Sequence, residues 1–367
     1  MIETVRRVLA RLARPVDPPL LLLAGLLVGF GLVVLASATH DSPERLNSQY
    51  VNLGVALAVM WLAANVPPRN LMRLAVPVYL TGLLLLIAVA LFGDVSKGAR
   101  RWLNLGVTRI QPSEIMKIAM PLMLAWYFHQ REGILRLRDF AVAAAILAVP
   151  VGLIAKQPDL GTSLLVLASG FYVIFLAGLS WKLMLGAAVA GLASLPVVWS
   201  MLHDYQRQRV LTLIDPEQDP LGRGFHIIQS TIAVGSGGIA GKGWMNGTQA
   251  HLEFLPERHT DFIFAVLSEE FGLIGNLLLV VLYVLLIGRG MVIAADAPTL
   301  FSRLLAGSIT LILFTYAFVN MGMVSGILPV VGVPLPLISY GGTALVTLFL
   351  GIGILMSIRR NPMLVQK

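Results

Sequence analysis

The chain has 367 residues, 57% of them hydrophobic and only 13% charged, and its mean hydropathy is +0.82. Soluble domains carry about 25% charged residues, so this composition excludes a soluble globular enzyme and predicts one membrane domain over residues 1–367. Cysteine is absent, which excludes a disulfide framework and any thiolate metal site, and the net charge of +8 informs only through its distribution.

Arg6, Arg7, Arg11 and Arg14 precede an apolar run at 19–38 that closes on Ala36-Ser37-Ala38, the outline of a secretory signal. Signal cores are about 7–15 residues long and this run is longer, so it is read as an uncleaved first span. Further runs able to cross about 30 Å of hydrocarbon fall at 51–66, 74–92, 140–155, 163–179, 183–202, 271–288 and 304–324. Two more, 115–128 (which contains Lys117) and 343–358, bring the expectation to an all-α fold of ten spans. The eighth is expected to start near Phe262.

Ten spans put both termini on one side. With the N-terminus inside, the inner loops and tails hold 15 of the 27 basic and 5 of the 19 acidic residues, a net of +10 against −2 elsewhere. Short loops thus follow the positive-inside rule, and both termini are expected to be cytoplasmic. Two outer segments run against the trend. Gly93–Gln111 carries Lys97, Arg100, Arg101 and Arg109, and the long loop at about 203–260 carries Arg207, Arg209, Arg223, Lys242 and Arg258. Either an anionic ligand sits there, or long loops simply translocate regardless of charge.

Within the long loop, Gly224–Val234 is too short to span and reads as an interfacial or re-entrant helix. The following GSGGIAGKG is not a phosphate-binding P-loop: Ser236 and Gly243 stand where that motif needs Gly and Ser or Thr. No nucleotide site and no nucleic-acid partner is expected.

Several ionisable residues sit where an apolar segment makes them costly. Gln111-Pro112-Ser113-Glu114 opens the fourth span, and Glu114 and Lys117 share a helix face at i,i+3. They form either a neutralised ion pair at a helix start or a polar wall inside a cavity. Asp159 lies in a short Pro/Gly turn, paired with Lys156 in the plainest reading. Glu257, Arg258, His259, Thr260 and Asp261 crowd the start of the eighth span. Asp261 is either a helix cap or a general base at the membrane surface. Glu269 and Glu270 follow, able to line a polar interior or pair with another helix. His259 lacks any metal-ligand spacing. Ser325–Gly342, rich in Pro and Gly and nearly uncharged, should fold back on the protein and shape a cavity wall. Carboxylates, guanidinium groups and a lysine gathered at one membrane face fit a lipid-borne phosphate substrate better than a small ion.

The stretches RRWLNLG, RIQPSEIMKI, KQPDLGTSL, YQRQRV, DPEQDPLGRGFHIIQS, LPERHTDFIFAVLSEEFG and GILPVVGVPLPLISYGG together resemble the SEDS family of peptidoglycan glycosyltransferases, closer to its elongation branch than to its division branch. That resemblance implies ten transmembrane helices and a cavity open to the outer leaflet of the bacterial inner membrane. It implies polymerisation of lipid II into β-1,4 glycan strands, with Asp261 as the proposed general base. Arg101, Arg109, Lys117, Arg207 and Arg258 become candidates for holding the pyrophosphate, with Glu114 orienting Lys117. Gln111, Ser113, Asp159, Arg209, Glu257, His259, Thr260 and Ser339 are the other candidate substrate contacts. A divalent cation, Mg²⁺ or Mn²⁺, could share this work, although no ligand set is readable. The expected partners are lipid II, membrane lipids and a class B penicillin-binding protein that supplies transpeptidation. A lipid II flippase is the alternative from another class, and a non-catalytic scaffold a third.

Overall fold

The structure, a computed structural model, describes residues 15–96, 99–104, 109–133, 135–202, 204–216, 223–251, 255 and 257–361. Each of the ten apolar runs falls on one helix, although 51–66, 163–179 and 183–202 outrun theirs at the C-terminal end: α1 Pro18–Ala38, α2 Pro43–Asn65, α3 Pro68–Phe92, α4 Pro112–His129, α5 Leu137–Lys156, α6 Leu160–Leu176, α7 Trp181–Met201, and, after three shorter helices, α11 Ile263–Ala295, α12 Leu300–Val324 and α13 Thr343–Arg360. Six of them (α1, α3, α5, α11, α12 and α13) are long and apolar enough to cross a membrane by length and composition. The shorter three are α8 Asp204–Ile214, α9 Arg223–Ser236 and α10 Thr248–His251. The re-entrant segment expected at 224–234 is therefore helical, as α9, and it packs against α11.

The helix starts follow the sequence. Pro stands in the first turn of α1, α2, α3 and α4, where its missing N–H costs nothing. Asp17, Asp159 and Thr299 cap α1, α6 and α12 by accepting from Leu20, Thr162 and Ser302 amides. The interior is built around α4 and α12, and nearly every residue of α4 from Pro112 to Phe128 is buried. Outer helices show apolar faces to the surroundings, as at Leu84, Phe92, Leu185 and Val284. A bundle in lipid needs no polar surface there. Between α3 and α4 the chain adds a three-stranded antiparallel sheet, Asp94–Ser96, Ala99–Asn104 and Arg109–Ile110, in that order, where the sequence suggested only a loop.

One break in the helices organises the rest. Gly272 sits inside α11 at φ 61°, ψ −156°, and divides it into a short buried half, from Ile263 to Phe271, and a long half beyond. The glycine run between α9 and α10 fills the gap. Lys242 and Gly243 amides donate to the carbonyls of Glu269 and Glu270, while Leu273 and Ile274 amides donate to Gly238 and Ile239. These are the backbone groups that a broken membrane helix must satisfy from elsewhere. The run that mimics a phosphate loop in sequence is thus a plug for a helix break.

Candidate active site

Four connections meet at one end of the bundle: the small sheet before α4, the α5–α6 turn, the turn before α11 and the loop between α12 and α13. They enclose a cleft of about 440 Å³. Arg101, Asp159 and Leu160 line it from the first two connections, Glu257, Thr260 and Asp261 from the third, and Val331 and Gly332 from the fourth.

Asp261 does not cap a helix. α11 starts two residues later, its N-cap is Phe262, and no side chain caps it. Asp261 sits instead in a tight turn that begins at Glu257, whose φ is +55°, an uncommon backbone conformation for a non-glycine residue. The Thr260 amide closes the turn on the Glu257 carbonyl at 3.0 Å. Three successive carbonyls of this turn are then held by the α12–α13 region. That of His259 accepts the Tyr340 amide at 2.9 Å, that of Thr260 the Ser339 hydroxyl at 2.7 Å, and that of Asp261 the Asn320 amide group at 2.8 Å. The backbone is pinned on one side and the half-buried Asp261 side chain reaches the cleft on the other. Gly332, at φ +74°, lies against it: a β-carbon there would stand 3.3 Å from Asp261 Oδ2.

The opposite wall is positive and anchored. Arg101 donates to the Pro158 carbonyl at 2.5 Å, and its Nε stands 3.9 Å from Asp159 Oδ2. That Nε is buried and has no hydrogen-bond acceptor among the described residues. Gln111 donates to Asp159 Oδ2 at 3.2 Å, and Asp159 Oδ1 accepts the Thr162 amide. The sequence offered Lys156 as the partner of Asp159; the structure supplies Arg101 and Gln111 from the preceding connection.

The remaining candidates separate from the cleft. Arg258 donates to the Ala38 carbonyl at 3.0 Å and to Asp41 at 2.6 Å, tying the turn to the end of α1. His259 stands 3.0 Å from Arg45 and packs edge-on to Tyr340. Lys117 is buried, 2.5 Å from both Glu114 and the Tyr316 hydroxyl. The pair shares a face as the spacing predicts, but it is not among the cleft's lining residues. Ser113 is buried in the first turn of α4. Arg207 donates to the Trp199 and Ser200 carbonyls at the end of α7, not into the cleft. The side chains of Arg109 and Arg209 lie outside the described residues. No three His, Asp or Glu groups cluster as a metal cage among the described residues.

Two residues that sequence reasoning passed over matter here, Asn320 and Gly332. Asn320 is a lone amide in an apolar span, and a buried polar group at that depth is itself a signal. Gly332 is one glycine among several in its loop, and nothing in the sequence separates it from the others.

The chain matches the family model FTSW_RODA_SPOVE, described as cell cycle protein, over residues 19–363. It belongs to the SEDS family. It is 53% identical over 352 residues to peptidoglycan glycosyltransferase MrdB of Escherichia coli K12, covering 96% of this chain and 95% of that one. With a probable peptidoglycan glycosyltransferase FtsW of Geobacter metallireducens it shares 37% identity over 356 residues, 93% of this chain and 94% of the other. Among solved structures, a chain from a peptidoglycan synthase complex that coordinates polymerization and crosslinking superposes with a TM-score of 0.82 at 38% identity, covering 94% and 97% of the two chains. The rod shape determining protein RodA of Thermus thermophilus gives 0.72 at 33% identity, covering 94% and 96%. The resemblance carried by the motifs is thereby established as membership.

Proposed function

We infer that this chain is the peptidoglycan glycosyltransferase of a cell-elongation machinery, polymerising lipid II into β-1,4 glycan strands. The observation that carries this reading is 53% identity, over nearly the whole length, to a protein named for that activity. The cleft supports it chemically. A half-buried carboxylate, Asp261, faces a wall bearing a guanidinium, Arg101, across a space of about 440 Å³.

In this reading Asp261 accepts the proton of the acceptor sugar's 4-hydroxyl. The freed oxygen attacks the anomeric carbon of the donor, the bond from that carbon to the pyrophosphate oxygen breaks, and undecaprenyl pyrophosphate leaves. A positioned base contributes about 10²–10⁴-fold. Charge that develops on the leaving group is met by the guanidinium of Arg101, which lines the cleft. Glu257 and Thr260 shape the acceptor side. Asp159 and Gln111 orient Arg101, and Ser339 fixes the turn. Lys117 and Glu114, with Tyr316, act from the interior of the bundle as a buried polar brace. Arg258 and His259 hold the turn to α1 and to the α12–α13 loop.

Among the described residues none make a metal cage. Asp261 and Glu257, both lining the cleft, would be the residues to hold Mg²⁺ or Mn²⁺, which would supply positive charge for the pyrophosphate. We further propose ten spans in the bacterial inner membrane, both termini cytoplasmic, one domain over 1–367 and the cleft on the outer side. Lipids surround the apolar faces, and a class B penicillin-binding protein is the transpeptidase partner. The test offers labelled lipid II to the purified protein with that partner, its transpeptidase serine inactivated, in liposomes. Glycan ladders are expected. Lipid II that crosses the bilayer without forming ladders would replace the polymerase with a flippase.

A further inference from the structure

The base of the cleft is held together by a residue that the proposed chemistry does not use. Asn320 lies in the last turns of α12 and is completely buried. Its amide nitrogen donates to two carbonyls, that of Asp261 at 2.8 Å and that of Val333 at 2.7 Å. Two short bonds to carbonyls assign the nitrogen to that side, because an amide oxygen there would face two acceptors. The oxygen is then left without a hydrogen-bond donor among the described residues.

These two carbonyls belong to the two walls that meet at the reacting carboxylate. One is the backbone of Asp261 itself. The other follows Val331 and Gly332, which line the cleft directly. Gly332 approaches Asp261 Oδ2 so closely that a β-carbon would stand 3.3 Å from it, at a φ of +74° that already favours glycine. Asn320 thus ties the two walls together beside the carboxylate, alongside the Ser339 and Tyr340 bonds that hold the same turn, and a β-carbon at Gly332 would press on Asp261 Oδ2. A leucine would leave no orphaned oxygen, but it would leave the Asp261 and Val333 carbonyls without this donor. An amide that keeps a buried acceptor without a donor does not serve packing.

We propose that Asn320 is a positioning residue: by bridging the Asp261 and Val333 carbonyls it fixes the Asp261 carboxylate against Gly332 at the distance the acceptor hydroxyl requires. This rests on Asp261 being the base. Displacing a reacting group by about 1 Å can cost about 10²-fold, so Asn320 acts on turnover more than on capture of the lipid.

The experiment measures lipid II polymerisation and lipid II binding for full-length wild type, Asn320→Leu, Asn320→Asp and Gly332→Ala, each with the inactivated partner, and Asp261→Asn alongside. Asn320→Leu is expected to lose about 10²-fold in kcat while the number of lipid II sites per protein and the KM stay at wild-type values. Asn320→Asp keeps the shape but can donate only when protonated, so its rate relative to wild type should rise as the pH is lowered. A mere loss of folded protein would reduce the number of sites and leave the pH profile unchanged, and that result overturns the proposal. Gly332→Ala tests the same distance without touching Asn320, and should also lower kcat at unchanged site number; a wild-type rate for it overturns the proposal. If Asp261→Asn polymerises normally, the base assignment falls and Asn320 has nothing to position. If Asp261→Asn is inactive and Asn320→Leu matches wild type, only the positioning role fails.

Discussion

Asp261 and Glu269 stand near the two ends of the same short half of α11, eight residues apart, and they meet opposite fates. Glu269 is fully buried. One of its oxygens takes Lys242 Nζ at 2.6 Å and the Thr248 hydroxyl at 2.9 Å, and the Gln249 amide reaches both oxygens at 3.1 Å. Neighbouring Glu270 accepts from the Ser37 hydroxyl of α1. Asp261 has its backbone carbonyl tied down and its carboxylate at a cleft. Glu269 thus locks the plug loop onto the broken helix, and Asp261, the proposed base, stands before the start of the same half. An acidic residue beside an apolar helix is structural where donors surround its carboxylate. It is placed for chemistry where its carboxylate borders a cleft.

That contrast can be broken at its structural end first. Lys242→Met leaves the buried Glu269 carboxylate without its partly exposed cation, and leaving a buried acceptor short of a partner costs about 1–3 kcal/mol. Thermal unfolding in detergent should show a large drop in midpoint. Replacing Lys242 and Glu269 together with apolar residues should recover much of it. Unchanged unfolding of the single variant would remove Glu269 as a lock.

A smaller effect sharpens the functional end. Arg101→Ala removes the guanidinium facing Asp261 and is expected to lower kcat for lipid II about 10–10²-fold, at the lower edge of what such electrostatic donors supply. The folded fraction should stay intact, because Arg101 is half exposed. Equal losses in rate and folded protein would make Arg101 a brace for Pro158 and Asp159.

The smallest effect lies at the opposite end of the bundle. Burial pushes the Asp17 carboxyl up, but the hydrogen bonds from Arg289 and the Leu20 amide outweigh it, and the net shift is below the ordinary value of 3.8. A depressed carboxylate contributes stability above its unfolded pKa and loses it as the pH falls through the folded value. The gap in unfolding temperature between wild type and Asp17→Asn should therefore be full at neutral pH and close below about pH 4.

Much of this was legible in the residues, for reasons that differ by element. The ten long helices were visible because lipid demands long apolar runs, and the fourth was expected to open at Pro112, whereas α8 and α10 carry no such run. Glu257 and Asp261 could be named because charges beside an apolar segment are expensive, Arg101 because basic residues stand in an expected outer segment, and Asp159 and Thr260 through the family motifs. Their meeting could not be read, since it depends on four connections that converge only in three dimensions. Arg207 looked as eligible as Arg101, yet its guanidinium serves the end of α7. Lys117, read as either an ion pair with Glu114 or a cavity wall, is buried against Glu114 and Tyr316. The glycine run gave no hint that its amides and carbonyls complete α11 at Gly272, because a helix break at a single glycine leaves the hydropathy of the span unchanged.

The most direct measurement compares gel-resolved glycan ladders from wild type and Asp261→Asn, both purified with the inactivated partner and both checked for the same unfolding temperature. The variant is expected to keep its fold and lose ladder formation by about 10²–10⁴-fold. Ladders of wild-type intensity from the folded variant would show that the proton of the acceptor hydroxyl goes elsewhere, and would contradict the assignment of Asp261 as the base.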